Sequence, residues 1–168
     1  MKAIKKVLNN IFIDGLSGMA LGLFSTLIIG TILKQIGDLM GGTYGTYLSA
    51  FAVVAQRLTG AGIGIGVAYK FRESTYVLLS AAAAGMIGAY ASNLIAGTLL
   101  SDTGALVLSG RGEPLGAFVA AYVGITIGRL VAGKTKLDLL ITPAITILSG
   151  GAVGILVGPG VSSFMTWL

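Results

Sequence analysis

Five apolar runs divide this 168-residue chain, at roughly Leu16 to Ile36, Gly45 to Tyr69, Tyr76 to Leu100, Pro114 to Ala132 and Leu139 to Val157. About 20 residues of helix cross a lipid bilayer, so each run is long enough, or nearly so, to span one. Such runs must either fill a soluble core or face lipid, and composition decides between the two. Only 10% of the residues are charged and 55% are hydrophobic, whereas soluble domains carry about 25% charge. Too few charges remain to solvate a surface around five such helices. The chain is therefore expected to be an all-α, polytopic transmembrane bundle of about five spans, forming a single membrane domain over residues 1–168.

The segments between the runs orient that bundle. Residues 1–12 alternate Lys2, Lys5 and Lys6 with Ile4, Val7, Leu8, Ile11 and Phe12 at helical spacing, which predicts an amphipathic helix lying on a membrane surface. Residues 13–157 hold the spans. Gly158-Pro159-Gly160 is expected to break the last one, leaving residues 158–168 as an interfacial tail anchored by Trp167 or as the start of a sixth element. With the amino terminus inside, the inner segments carry Lys2, Lys5, Lys6, Lys70, Arg72, Lys134 and Lys136, while the outer loops carry Asp38, Asp102, Arg111 and Glu113. That is the asymmetry of a multi-pass protein of the bacterial cytoplasmic membrane with a cytoplasmic amino terminus. The same asymmetry accounts for the net charge of +5 without a nucleic-acid partner. The chain has no Cys and no His. Disulfides, imidazole or thiolate metal sites and Cys or His nucleophiles are thereby excluded, and no cofactor or metal is expected.

One stretch occurs twice. Leu58 to Val67 reads LTGAGIGIGV and Leu148 to Val157 reads LSGGAVGILV, with identity at Leu58/Leu148, Gly60/Gly150, Gly64/Gly154, Ile65/Ile155 and Val67/Val157. The copies fall in the second and fifth runs, which cross in opposite directions when five spans are counted. A three-plus-three inverted repeat, with second and fifth spans equivalent, predicts that offset. Such repeats are common in secondary transporters. High glycine content, 27 residues in all, gives chance as the alternative origin of the match.

Few polar side chains interrupt the runs. Gln56 and Arg57 lie within the second, where a charge is costly unless it meets a cavity or a partner. Arg57 offers planar donors to hydroxyls, carboxylates or phosphates; the alternative is a water-exposed break between two shorter helices. Gly60, Gly62, Gly64 and Gly66, like Gly150 and Gly154, either allow close helix packing or mark an unwound segment. Pro143 is expected to kink the fifth run and free carbonyls near Thr142. Asn93 either binds substrate or bonds a neighbouring helix. Glu113 opens the fourth run beside Pro114 and either caps that helix or accepts hydrogen bonds from a solute. Arg57, Gln56, Glu113, Thr142 and Asn93 are the candidate substrate-binding residues. Gly62-Ile63-Gly64-Ile65-Gly66 is not a nucleotide loop, because no strand precedes it and no Gly-Lys-Ser/Thr follows.

The segments IFIDGLSGMALGLFSTLIIGTILKQIG (Ile11 to Gly37), GAGIGIGVAY (Gly60 to Tyr69), GEPLGAF (Gly112 to Phe118) and TPAITILSGGAVGILVGPGVSSFMT (Thr142 to Thr166) resemble, in that order, the enzyme-IIC-like sugar permeases of the bacterial phosphotransferase system. The likeness covers essentially the whole chain and is to the amino-terminal part of those proteins. It implies transport of a sugar or other small polar solute, with phosphorylation carried out by separate cytosolic phosphotransferase proteins. A Glu-Pro motif helps bind sugar in better-known permeases, and Glu113-Pro114 is the matching position; their sugar-site His has no counterpart. The expected function is a transport component working by alternating access, as a homodimer or with a second membrane half. The alternative is a non-transporting regulator, lipid-binding protein or partner-docking subunit of the same fold. A channel is a third reading, though no ring of acids marks a filter. An enzyme is the least favoured reading, since no nucleophile–base pair is visible.

Overall fold

The computed structural model describes residues 1–168. The chain is an all-α bundle without extended strands, and its only β feature is an isolated bridge between Leu100 and Leu106. Seven helices follow in order: α1 (Lys2–Met40), α2 (Gly42–Arg57), α3 (Thr59–Lys70), α4 (Thr75–Ala89), α5 (Ala91–Ile95), α6 (Pro114–Val131) and α7 (Asp138–Trp167). Three of them, α1, α6 and α7, are long and apolar enough to cross a membrane; α2 and α3 form a fourth candidate span bent by 53°. The protein is membrane-integral.

α1 runs unbroken for 39 residues, so the amphipathic amino-terminal segment continues directly into the first apolar run. Two stretches of it, Asn10–Gly15 and Phe24–Ile28, are π-helical. Gly41 and Gly42 then both take φ of 62°, a conformation costly for other residues, and they turn the chain back into α2. Antiparallel pairing follows all the way down. The Cβ that an alanine would add at Gly18 would lie 2.6 Å from the Val67 Cα, that at Gly22 would lie 2.4 Å from the Gly62 backbone, and that at Gly37 would lie 2.9 Å from the Gly45 carbonyl. Lipid supplies no hydrophobic drive between helices, so close contact between backbones takes its place.

α4 is the central strut. α3 crosses it antiparallel, with Gly60 against Gly85 and Gly64 against Ala81, while α7 lies parallel to it, with Gly150 against Ala84 and Gly154 against Gly88, and continues onto α5 with Gly158 against Ala91. The two copies of the Gly-rich stretch therefore run in opposite directions and grip the same helix. Ile63, Val67, Val77, Ala81, Phe118 and Ile125 fill the space between α3, α4 and α6. Large apolar side chains such as Leu148 (71% exposed) and Leu156 (80%) point outward, as expected of a lipid-facing surface.

Two boundaries differ from those expected. The third apolar run stops being a single helix at Ala89: Tyr90 leaves helical geometry, five residues of α5 follow, and residues 96–113 form a loop. At the other end, Gly158-Pro159-Gly160 does not break the last helix, and α7 continues through Pro143 and Pro159 to Trp167. Proline removes one helical hydrogen bond. In lipid, leaving the helix would strand many more backbone groups without partners, so continuing it costs less. Gly158 also packs on Ala91, and the Ser163 hydroxyl donates to the Pro159 carbonyl at 2.8 Å.

Candidate functional site

The break in the second run falls at Leu58, where α2 ends and α3 begins. Its cause is local. The Thr59 hydroxyl donates to the Gln56 carbonyl at 2.6 Å, a back-bond that competes with the backbone ladder and bends helices. The Gln56 side chain is buried and donates to the Thr31 hydroxyl at 3.2 Å. The Thr26 hydroxyl, in the second π-helical stretch of α1, lies 3.3 Å from that of Thr59.

A second break, at Tyr90, sits beside the first. The Tyr90 hydroxyl reaches two acceptors, the Arg57 carbonyl at 3.3 Å and the Gly110 carbonyl at 3.2 Å. The Ala89 carbonyl, at the end of α4, accepts from the Glu113 backbone N–H at 2.7 Å. Glu113 in turn accepts from the Ser162 hydroxyl at 2.8 Å, and Ser162 bonds Ser92 on α5. One polar seam thus crosses the bundle from Thr31 through both helix breaks to Ser162. Backbone groups released at each break meet hydroxyls or an N–H, as burial in an apolar medium requires.

The candidate residues distribute around this seam unequally. Gln56, Arg57 and Glu113 belong to it. The Arg57 side chain is exposed, with no carboxylate within 4.0 Å. Asn93 lies one residue beyond Ser92 and reaches only Thr98, at 3.5 Å. Thr142 is remote from the seam: it is fully buried near the start of α7 and bonds the Asp138 carboxylate. Gly60, Gly62, Gly64 and Gly66 are helical and closely packed, and the break precedes them. Pro143 lies inside an unbroken helix. Tyr90 and Ser162, which tie the seam together, are absent from the sequence reading. Tyr90 has a weak signal, as the one aromatic residue within GAYASN; Ser162 has none.

The other polar concentration is at the end of the bundle that holds the amino terminus, together with Lys70, Arg72, Arg129, Lys134 and Lys136. A cleft of about 610 Å³ opens there, lined by Asp14, Tyr69, Lys70, Arg72, Glu73 and Leu78. The Glu73 side chain is only 10% exposed and pairs with Arg129 at 3.5 Å. Burial pushes its carboxyl above the usual value, against the pull of Arg129. A carboxyl with a raised folded-state pKa binds protons more tightly in the folded protein, so its contribution to stability falls as pH rises from about its unfolded value of 4.5 through the raised one. Melting temperature of the detergent-solubilised protein should decline across that window, and Glu73→Gln should flatten the decline. An unchanged profile in that variant would remove Glu73 as its source.

A family described as phosphotransferase system, EIIC, matches over residues 13–168. No curated protein and no solved structure matches the chain.

Proposed function

The chain belongs to the phosphotransferase system EIIC family, and from that premise we propose that it moves a sugar or other small polar solute across the bacterial cytoplasmic membrane, with the seam at the two helix breaks as the solute's contact point. The observation that carries this reading is the pairing of the breaks at Leu58 and Tyr90, joined by the Tyr90–Arg57 hydrogen bond. Interrupted helices that meet at one level are how membrane transporters bring polar backbone and side chains to a solute. Arg57 and Glu113 supply a donor fork and a carboxylate, the two groups that suit a polyhydroxylated ligand. Gln56 supports the bend through Thr31. Thr142 and Asn93 complete the candidate set, Thr142 at the opposite end of α7. The cationic end is read as cytoplasmic, where phosphotransferase partner proteins would dock. A homodimer, or a second membrane half, would complete the translocation path. The opposite directions of the two Gly-rich stretches support reading them as copies within an inverted repeat.

The test is uptake of a panel of radiolabelled sugars into proteoliposomes. Wild-type protein should accumulate at least one sugar above empty vesicles. Glu113→Gln keeps the shape but removes the charge on the Ser162 acceptor, and it should cut that uptake by roughly tenfold, the scale of one charge-assisted hydrogen bond. No uptake of any sugar by wild-type protein would refute transport and leave the regulatory or docking role.

A further inference from the structure

The cleft at the amino-terminal end sets three cations around a carboxylate that none of them pairs with. Arg72 holds φ of 56°, a left-handed conformation that side chains other than Gly and Asn seldom adopt. Hydrogen bonds from Arg72 N–H to the Tyr69 carbonyl at 3.0 Å and from Glu73 N–H to the Ala68 carbonyl at 3.1 Å are the paired bonds of a Schellman cap, which ends α3. This cap sets the Arg72 guanidinium at the cleft wall, beside Lys70 and, in the adjoining cleft, Arg129.

The opposite wall is equally specific. Asn10 and Asp14 stand four residues apart within the first π-helical stretch of α1, Asn10–Gly15, and both line the adjoining cleft with Lys70, Arg72 and Arg129. π-Helical insertions are rare and concentrate at functional sites. Asp14 is half-buried, yet it makes no ion pair within 4.0 Å despite three cations lining the same space. Glu73 is already committed to Arg129. The wall therefore keeps a carboxylate and an amide opposite Lys70 and Arg72 without joining them.

We propose that this cleft binds a small phosphate ester bearing free hydroxyls, with Lys70, Arg72 and Arg129 holding the phosphate and Asp14 and Asn10 accepting from and donating to the hydroxyls. Cations alone would fit any anion, and the uncommitted carboxylate selects one that also carries donors. The site is separate from the seam at the helix breaks and stands whether or not solute passes there. A soluble sugar phosphate and a glycerol-phosphate lipid headgroup share this chemistry.

The full chain in phosphatidylcholine nanodiscs would be titrated calorimetrically with glycerophosphate, and separately with inorganic phosphate and with glycerol. Glycerophosphate should bind at least about tenfold more tightly than either half. Arg72→Gly removes the cation while suiting the left-handed turn; it should weaken binding about tenfold, the scale of a lost charge-assisted contact, with no fall in melting temperature. Asp14→Asn should erase the margin over inorganic phosphate. Repeating the titration in discs doped with phosphatidylglycerol separates the sources: lost binding identifies the headgroup as occupant, and retained binding identifies a soluble ester. Glycerophosphate that binds no better than glycerol, or that binds Arg72→Gly as tightly as wild type, would overturn the proposal.

Discussion

Gly64→Ala is expected to destabilise the protein by about 3 kcal/mol or more, at or beyond the upper end of ordinary overpacking costs, although it adds one methyl group. The new Cβ would sit 2.0 Å from the Ala81 carbonyl oxygen and 2.6 Å from its carbon. Both are backbone atoms, so no rotamer change relieves the clash, and α3 must move away from α4 along its length. That motion also separates Gly60 from Gly85, where a Cβ at Gly85 would lie 2.2 Å from the Gly60 carbonyl. In a bilayer such contacts are the main attraction between these helices. Gly160→Ala is the control: nothing lies within 4 Å of its Cβ, and helix propensity alone should then stabilise by up to about 1 kcal/mol. Unfolding in a denaturing detergent measures both. A Gly64→Ala protein as stable as wild type would mean that α3 and α4 are not packed backbone to backbone.

The sequence exposes the elements of this fold better than their junctions. Apolar runs and sparse charge point to an all-helical membrane bundle because lipid leaves a chain little alternative to helix. Gln56 and Arg57 mark a disturbance in the second run for the same reason. The break at Tyr90 is less visible, since Tyr-Ala-Ser-Asn-Leu-Ile is apolar enough to pass for continuing span, and its cause lies in a later loop, where the Gly110 carbonyl accepts from the Tyr90 hydroxyl and the Glu113 N–H donates to the Ala89 carbonyl. Pro159 misleads in the other direction, because a breaker in water becomes a tolerated defect where the backbone has no other partner. The link from Glu113 to Ser162 joins residues 49 positions apart, and the π-helical turns of α1 have no periodic signature. The partner of Thr142 is equally hidden: its hydroxyl bonds one turn back, at Asp138, which the neighbouring proline does not announce.

Arg57→Ala should move stability and transport in opposite directions. Arg57 sits at the bend of the candidate span made of Gly42–Arg57 and Thr59–Lys70, roughly midway along it. Its side chain is exposed, and neither of the two ion pairs in the structure includes it. A charge held at such depth costs at least about 2.5 kcal/mol on insertion scales, so its removal should stabilise the isolated protein, by about 1 kcal/mol once snorkelling toward water is allowed for. The backbone link from Tyr90 survives, since it uses the Arg57 carbonyl rather than the side chain. The bend should therefore persist in the variant, as should the seam from Thr59 to Glu113. With the proposed role for Arg57, sugar uptake should nevertheless fall at least tenfold, because the planar donors assigned to the solute are gone, and Arg57→Lys should recover only part of it, having charge without the fork. A residue that is costly to keep and dispensable for folding is one whose use lies elsewhere. Two results would separate the alternatives: a fall in melting temperature would make Arg57 a structural partner, and uptake equal to wild type would remove it from the solute path.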